Sequence, residues 1–434
     1  DAATILNTPV KHQTLIPCYP ARYQRIGGSY MQGWKKKAFL FLVSQGVTLF
    51  GSSLVQFAIV WYVTLETSSG IWVSALTICS FVPQFLISMV AGVWADRYPR
   101  KLLIILSDTI IAVATLVLAL LIPHFEKQQT LFIALLLTSI VRSLGSGVQM
   151  PAVSAMIPQL VPEDQLMRFN GLHATFQSLV QFAAPAAAGA VLTFSTLRSS
   201  LFIDIASAVV GITLLSFLAI PTPLKKQNPV QSSVAAEMHL GMRYVFQNRF
   251  LRSLLLSFGL FIFLSVPAGF LATLFVTRTY AESYLYMTIV EVVGFAGMAA
   301  GGLLMSTWTG FKDKMKTLLV GMAWFGVLAI GMGAIESFVV YLCLMAVYGI
   351  ALTMVQTAMI TLLQERTEPT MQGRVFGFQN LMFSGSLPLG MAVFGPLSDV
   401  FSMRYLMIGT GAALLLLVFK LKLSTNVNRH PHQP

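Results

Sequence analysis

The side chains that could carry a proton through this protein are few, and they lie inside long apolar stretches. Four carboxylates are of this kind: Asp108, Asp204, Glu291 and Asp399. Removal from water favours the neutral form of a carboxyl group, which suits it to exchange one proton near neutral pH. We predict Glu291 as the proton carrier, with Asp204 second. Asp108 is a further candidate, although it and Asp399 are equally explained as solvated or structural groups.

One arginine, Arg142, also lies near the middle of an apolar stretch. Placing arginine at the centre of a membrane helix costs at least about 3 kcal/mol on insertion scales. We therefore expect Arg142 to face a cavity or a carboxylate. Pairing with the backbone carbonyls of a kinked neighbouring helix is the alternative.

The amino-acid composition indicates which kind of structure holds these charged groups in position. Of 434 residues, 56% are hydrophobic and 10% charged, whereas soluble proteins carry about a quarter charged residues. The sequence therefore predicts an all-α integral membrane protein. Twelve apolar runs are long enough to span a bilayer, at about 38–64, 70–94, 102–122, 131–156, 169–194, 198–220, 251–276, 284–307, 317–335, 338–363, 374–399 and 404–419.

The net charge of +12 predicts orientation rather than nucleic-acid binding. Of 28 Lys and Arg residues, 23 fall on the side that holds both termini and four on the other, with Arg142 inside a span. Cations concentrate on the cytoplasmic side, so we expect both termini to be cytoplasmic. The three cysteines, Cys18, Cys79 and Cys343, predict neither a disulfide nor a metal site.

The chain divides into two six-helix halves, 38–220 and 251–419, around a cytosolic linker at 221–250 whose Val234–Phe250 segment predicts an amphipathic helix. Residues 1–37 and 420–434 are cytosolic tails; 1–30 are either an upstream leader or a disordered part of the first tail. Three residues recur at an offset of 207, namely Gln149, Pro162 and Gln165 as Gln356, Pro369 and Gln372. Such duplication is typical of transporters that bind substrate between their halves.

Polar stripes at helical spacing predict which faces line that cavity. They are Gln45, Thr48, Ser52 and Gln56 on span one, Ser74, Thr77, Phe81, Gln84 and Ser88 on span two, and His173, Gln177 and Gln181 on span five. The predicted cavity residues are Gln45, Gln56, Phe81, Gln84, Gln149, Gln177, Gln181 and Gln356. Hydrogen bonding between helices is the alternative for any one of them. Amides and aromatic rings suit a large, weakly polar ligand.

The loop after span two resembles motif A of the major facilitator superfamily, with Gly92, Asp96, Arg97, Arg100 and Lys101 in the expected order and Pro99 in place of the usual second glycine. Gly92 allows close helix packing. The resemblance implies that Asp96, Arg97 and Arg100 form an inner latch against span eleven, which breaks when the inside opens. The alternative is that these cations only set the topology.

Two further segments resemble superfamily motifs. Arg142, followed by Gly145 and Gly147, is similar to motif B, whose arginine lies near the proton path. Ala184, Pro185, Ala188 and Gly189 on span five form a degenerate version of motif C, which marks exporters; small residues beside a proline let a helix bend and pack tightly.

Residues 31–423 resemble the macrolide efflux branch of this superfamily, most clearly in 141–171 and in Gly51 to Ala58. The resemblance implies proton-driven export of amphipathic drugs by alternating access, by a monomer in a bacterial-type inner membrane. An exporter of one metabolite or siderophore is the alternative. We expect no cofactor beyond the proton motive force, no nucleic-acid partner and no catalytic residue. No Gly-x-x-x-x-Gly-Lys loop, His-Glu-x-x-His pair or convincing Ser/His/Asp set supports an ATPase or a membrane enzyme.

Overall fold

The computed structural model describes residues 33–218, 242–308, 310–368 and 371–427. The predicted leader and most of the linker lie outside these ranges. Of the predicted amphipathic helix, only the end is described, and its residues 242–247 are helical.

The described chain forms thirteen long or medium α-helices. They are α1 (Trp34–Thr67), α2 (Gly70–Arg97), α3 (Arg100–Leu121), α4 (Gln128–Leu160), α5 (Leu166–Phe194), α6 (Leu197–Ser216), α7 (Arg249–Ser265), α8 (Ala272–Thr279), α9 (Tyr284–Trp308), α10 (Lys314–Ala334), α11 (Phe338–Arg366), α12 (Gln372–Val400) and α13 (Met403–Val427). Short 3₁₀ turns follow α3 and precede α5.

The twelve predicted spans all coincide with helices, and one of them is divided. Eleven helices of the described chain are long and apolar enough to cross a membrane. Span seven is split into α7 and α8, because Pro267 in the intervening turn has no N–H to continue a helix. The twelve-span, all-α membrane fold is thus confirmed.

Helices α1–α6 pack mainly on one another, with α1 against α5 and α6, and α4 against α2 and α3. Helices α7–α13 do the same, with α11 against α9 and α10, α13 against α10, and α12 against α7. The two groups meet chiefly where α2 contacts α12 and α5 contacts α9. Movement of one group against the other therefore changes these two contacts first.

The two ends of the bundle differ. We name the end with the α1–α2 and α5–α6 connections the outer end, and the opposite end the inner end, after the predicted orientation. At the outer end a Cβ added to Gly70 would lie 2.3 Å from the carbonyl oxygen of Gly395. Towards the inner end, Cβ atoms added to Gly92 on α2 and to Gly302 and Gly373 in the second group would meet nothing within 4 Å. The closest glycine contact between the two groups of helices among these positions therefore lies at the outer end.

Candidate functional site

Arg142 and Asp204 form a buried ion pair between α4 and α6. Their side chains are 6% and 2% exposed, and Nη1 of Arg142 contacts Oδ2 of Asp204. The same Nη1 donates to Thr115 Oγ1 on α3 at 2.5 Å, and Nη2 donates to the Ser52 carbonyl on α1 at 3.1 Å. Arg142 thus has the carboxylate partner expected for a buried cation, together with one backbone carbonyl.

The Asp204 carboxylate also accepts hydrogen bonds from two hydroxyls, Ser52 Oγ at 3.3 Å and Thr115 Oγ1 at 3.2 Å. Four helices, α1, α3, α4 and α6, therefore contribute to one charged cluster. The backbone of α1 must approach closely, since a Cβ on Gly51 would lie 1.8 Å from Ser207 Oγ and 3.1 Å from Asp204 Oδ1. The cluster fixes the packing inside the first half.

Asp108 on α3 is the second buried carboxylate of this half. It is 4% exposed, and its Oδ1 accepts a hydrogen bond from Gln149 Nε2 on α4 at 2.7 Å. Its other oxygen, Oδ2, is buried without a hydrogen-bond partner. Asp108 precedes Thr115 by two helical turns, about 10 Å along α3. Gln149, predicted as a cavity residue, binds this carboxylate.

Glu291 lies in the other half, on α9, and is half-buried. Within the described part of the chain it accepts no hydrogen bond and joins no ion pair. Further along the same helix, a Cβ on Gly297 would lie 2.1 Å from the Ala346 carbonyl oxygen, so α9 packs tightly against α11 there. Glu291 is thus a carboxylate without a cationic partner, held on a tightly packed helix.

The predicted cavity residues fall into different environments. On α1, Gln45 is only 6% exposed and its Nε2 has no partner, so it lies inside the first half. Gln56 Nε2 donates to Ser80 Oγ on α2 at 3.0 Å. This residue therefore makes a hydrogen bond between helices, the alternative to lining the cavity. Gln177 and Gln181 are exposed along α5.

The remaining predicted cavity residues are half-buried. Phe81 on α2 packs against the hydrophobic core of the second half. Gln84 Nε2 lies 3.6 Å from Met150 Sδ on α4. Gln356 on α11 is also half-buried. Phe81 is therefore a first-half side chain that contacts the second half.

The motif A loop connects helices of the first half. Arg100 donates to the carbonyl of Ala155 on α4 at 2.6 Å, and Lys101 Nζ donates to the carbonyls of Ser216 and Leu218, at the end of α6, at 2.8 and 3.0 Å. Arg97 is exposed, and the side chain of Asp96 lies outside the described part. The close packing predicted at Gly92 is absent, since a Cβ added there would meet nothing within 4 Å. The inner latch stays a prediction for a conformation closed on that side.

The degenerate motif C lies at the contact between the halves. Ala184, Pro185 and Ala188 are buried on α5. A Cβ on Gly189 would lie 1.7 Å from Thr288 Oγ1 on α9. The tight packing predicted from these small residues is present, and it joins α5 to the opposite half.

The sequence did not predict that the hydroxyl of Ser143 inserts between two backbone hydrogen-bonding groups of α2. Ser143 Oγ on α4 accepts from the Gln84 N–H at 2.8 Å and donates to the Ser80 carbonyl at 2.6 Å. These two backbone groups would otherwise pair with each other in a regular helix. Pro83 inside α2 was the available signal, since inserted side chains accompany irregular helix segments.

Asp399, left without a role by the sequence, lies at the outer contact between the halves. It accepts hydrogen bonds from the backbone N–H groups of Gly70 and Ile71 at 2.7 and 3.0 Å and from Ser69 Oγ at 2.8 Å, all at the start of α2. Arg278, just after span seven, donates to Asp399 Oδ1 at 2.5 Å. The described residues contain no group of His, Cys, Asp and Glu that could hold a metal ion.

Comparison with known proteins decides the family. The sequence profile of the Major Facilitator Superfamily matches residues 41–391. The chain belongs to the Major Facilitator Superfamily. It is therefore a multi-pass membrane transporter by family, in agreement with its helices.

Relatives within this superfamily confirm the resemblance to macrolide efflux members. Macrolide efflux protein A of Streptococcus pyogenes is 26% identical over 384 residues, 88% of this chain and 94% of that protein. The protein of the same name from Enterococcus faecalis is 26% identical over 321 residues, 74% of this chain and 98% of that protein. The multidrug efflux pump Tap of Mycobacterium bovis is 23% identical, covering 83% and 87%.

Solved structures of superfamily transporters share the fold. A bacterial homologue of the iron transporter ferroportin in its inward-facing state gives a TM-score of 0.67 at 18% identity, covering 89% of this chain and 98% of that one. A bacterial homologue of the human lysosomal transporter Spinster, inward-facing and unoccupied, gives 0.67 at 15% identity, covering 93% and 99%. At these identities the likeness concerns the fold alone.

Proposed function

We propose that this transporter exports amphipathic drugs of the macrolide type in exchange for protons, by alternating access. The observation that carries the proposal is the asymmetry of the bundle. The halves touch closely at the outer end, where Gly70 meets Gly395 and Gly189 meets Thr288, whereas Gly92, towards the inner end of α2, has no neighbour within 4 Å of an added Cβ. A substrate can then enter from the inner side and leave only after the contacts exchange.

The side chains between the halves support a large, weakly polar substrate. Phe81 offers an aromatic surface at the contact with the second half, and Gln177 and Gln181 expose amides along α5. Pockets for amphipathic ligands combine such apolar walls with a few polar groups. The names of the macrolide and multidrug efflux relatives favour the same class of substrate.

For the proton we favour Glu291. Asp204 is paired with Arg142, so its charge already has a partner. Asp108 accepts a hydrogen bond from a neutral amide, and Glu291 has no partner in the described chain. A carboxylate without a cation can be neutralised by a proton instead. Glu291, half-buried on a helix that meets the opposite half, can respond to both sides in turn. Asp108 is the second candidate.

The test is transport by everted membrane vesicles that contain the full-length chain. Macrolides, cationic dyes and siderophores are offered with and without a protonophore, and a pH-sensitive dye inside the vesicles records substrate-dependent proton movement. We expect macrolide uptake that the protonophore abolishes. Uptake of siderophores alone would replace the drug assignment, and protonophore-resistant uptake would exclude proton coupling.

Variants identify the carrier in the same assay. Glu291→Gln keeps the size and polarity of the side chain but cannot exchange a proton, so we expect drug-dependent proton movement to disappear. Glu66→Gln is the matched control, because Glu66 is exposed at the outer end and, within the described residues, accepts a hydrogen bond only from Gln128 Nε2, at 2.8 Å. If Glu291→Gln couples normally and Asp108→Asn does not, Asp108 is the carrier.

A bacterial inner membrane, cytoplasmic termini and a monomeric state complete the proposal. The cation distribution supports the orientation. Protease accessibility of tags at each terminus in spheroplasts, compared with everted vesicles, measures it directly.

A further inference from the structure

The first turn of α2 obtains its hydrogen-bond partners from the other half of the molecule. The N–H groups at the start of an α-helix have no acceptor within the helix. Here the N-cap Ser69 makes no side-chain cap, and Asp399, at the end of α12, accepts from Gly70, Ile71 and the Ser69 hydroxyl. A carboxylate is also favoured there by the helix dipole.

Arg278 adds a second connection across the same boundary. Its Nε donates to the Ser68 carbonyl of the first half at 2.9 Å, while Nη1 donates to the Ser398 carbonyl at 2.5 Å and Nη2 binds Asp399. One guanidinium thus holds the α1–α2 turn and the end of α12 together. Ser68 itself adopts a left-handed conformation, with φ of 45°, which completes the turn that presents its carbonyl.

We propose that Asp399 and Arg278, with the α2 first turn Ser69–Ile71, form the outer gate of the transport cycle. Asp399 and Arg278 both belong to the second half, where they also bind each other, and their hydrogen bonds to Ser68–Ile71 cross to the first half. Opening the outer side must break these crossing bonds together. Asp399 and Arg278 are then positioning residues that set the ratio of inward-open to outward-open molecules. The inference rests on alternating access as proposed above.

The test measures the gap at the outer end directly. Cys18, Cys79 and Cys343 are replaced by Ser, and spin labels are attached to cysteines introduced at Ser195 and Ser337. Both positions are exposed, in the α5–α6 and α10–α11 connections of opposite halves. Electron–electron double resonance in lipid nanodiscs, with neither drug nor pH gradient, then gives the distance distribution.

In Asp399→Ala we expect the long-distance, outward-open population to rise about tenfold or more over the unsubstituted labelled protein, because each charge-assisted hydrogen bond alone accounts for roughly that factor. Arg278→Gln removes the second connection and should shift the distribution the same way. It also serves as the variant of choice if Asp399→Ala does not fold. Asp399→Asn, which keeps one acceptor oxygen, should give an intermediate shift.

Glu66→Gln is the matched control, since the hydrogen bond of Glu66 to Gln128 stays within the first half; its distribution should equal that of the parent. An unchanged distribution in both Asp399→Ala and Arg278→Gln overturns the gate, as does an equal shift in Glu66→Gln. Because neither drug nor a pH gradient is applied, a shift in the gate variants of a chain that exports no drug would retain the gate and reject the proposed substrate.

Discussion

Separating Arg142 from Asp204 is expected to be among the most damaging changes in the first half. Both side chains are almost completely buried, at 6% and 2% exposure. Asp204→Ala leaves the guanidinium with only Thr115 Oγ1 and the Ser52 carbonyl. Removing one partner of a buried pair costs about 3–5 kcal/mol, because an uncompensated charge remains. For a unit of six helices this lowers the melting temperature by on the order of 10 °C.

Replacing both charges should be much milder. An apolar pair of similar volume is often as stable as the buried ion pair it replaces, so Arg142→Met with Asp204→Leu should melt above either Arg142→Met or Asp204→Leu alone. The coupling between the two sites is then about 3 kcal/mol. Thermal unfolding of the detergent-solubilised variants, followed by size-exclusion chromatography, gives all four corners of the cycle.

Two results bear on the reasoning. Single variants that melt like the wild type would show that the pair does not stabilise the bundle. So would a double variant whose loss of stability equals the sum of the two single losses. The double variant also reports on mechanism. If it still couples drug export to protons, the proton-coupling role predicted for Arg142 and Asp204 is wrong and the pair is structural.

Three other changes follow from the contacts. Gly189→Ala places a Cβ 1.7 Å from Thr288 Oγ1, so macrolide efflux from cells should fall, and adding Thr288→Ala should recover part of it; no recovery would contradict this. Gly70→Ala places a Cβ 2.3 Å from the Gly395 carbonyl and should lengthen the outer spin-label distance; an unchanged distance would mean that the contact yields freely. Ser143→Ala removes the hydrogen-bond partner of two backbone groups of α2 and should cost about 1–3 kcal/mol, seen as a lower melting temperature. Ser146→Ala, at a half-buried serine of the same helix α4, is the control and should melt like the wild type.

The spans could be predicted because hydropathy is a local property. Every helix that crosses the bundle matches an apolar run, and even the division of span seven follows from Pro267. The partner of Arg142 could be predicted only as a type. A buried cation requires a carboxylate, but Asp204 lies 62 residues away, and packing alone decides which carboxylate is near.

Polar stripes were less informative, since a cavity wall and a helix interface have the same periodicity. The α1 stripe shows this: Ser52 binds Asp204 and Thr48 packs against Gly211 of α6. Asp399 carried an overlooked signal. A carboxylate in the last turn of its own helix is unfavourable beside that helix's negative end. Its position therefore indicates that it accepts hydrogen bonds from the first turn of another helix.

The contact between Asp399 and the start of α2 determines which amino-acid substitutions this region tolerates. Two of the donors to Asp399 are main-chain N–H groups, and at position 71, unlike the tightly packed position 70, most side-chain substitutions leave the donor in place. Alanine at position 71 would therefore leave the contribution of this residue to the outer contact undetected. Proline is the exception: Ile71→Pro deletes one N–H, the first turn tolerates proline, and the side chain of Ile71 is 52% exposed. Residue 71 can thus be varied freely among amino acids while the one imino acid is excluded.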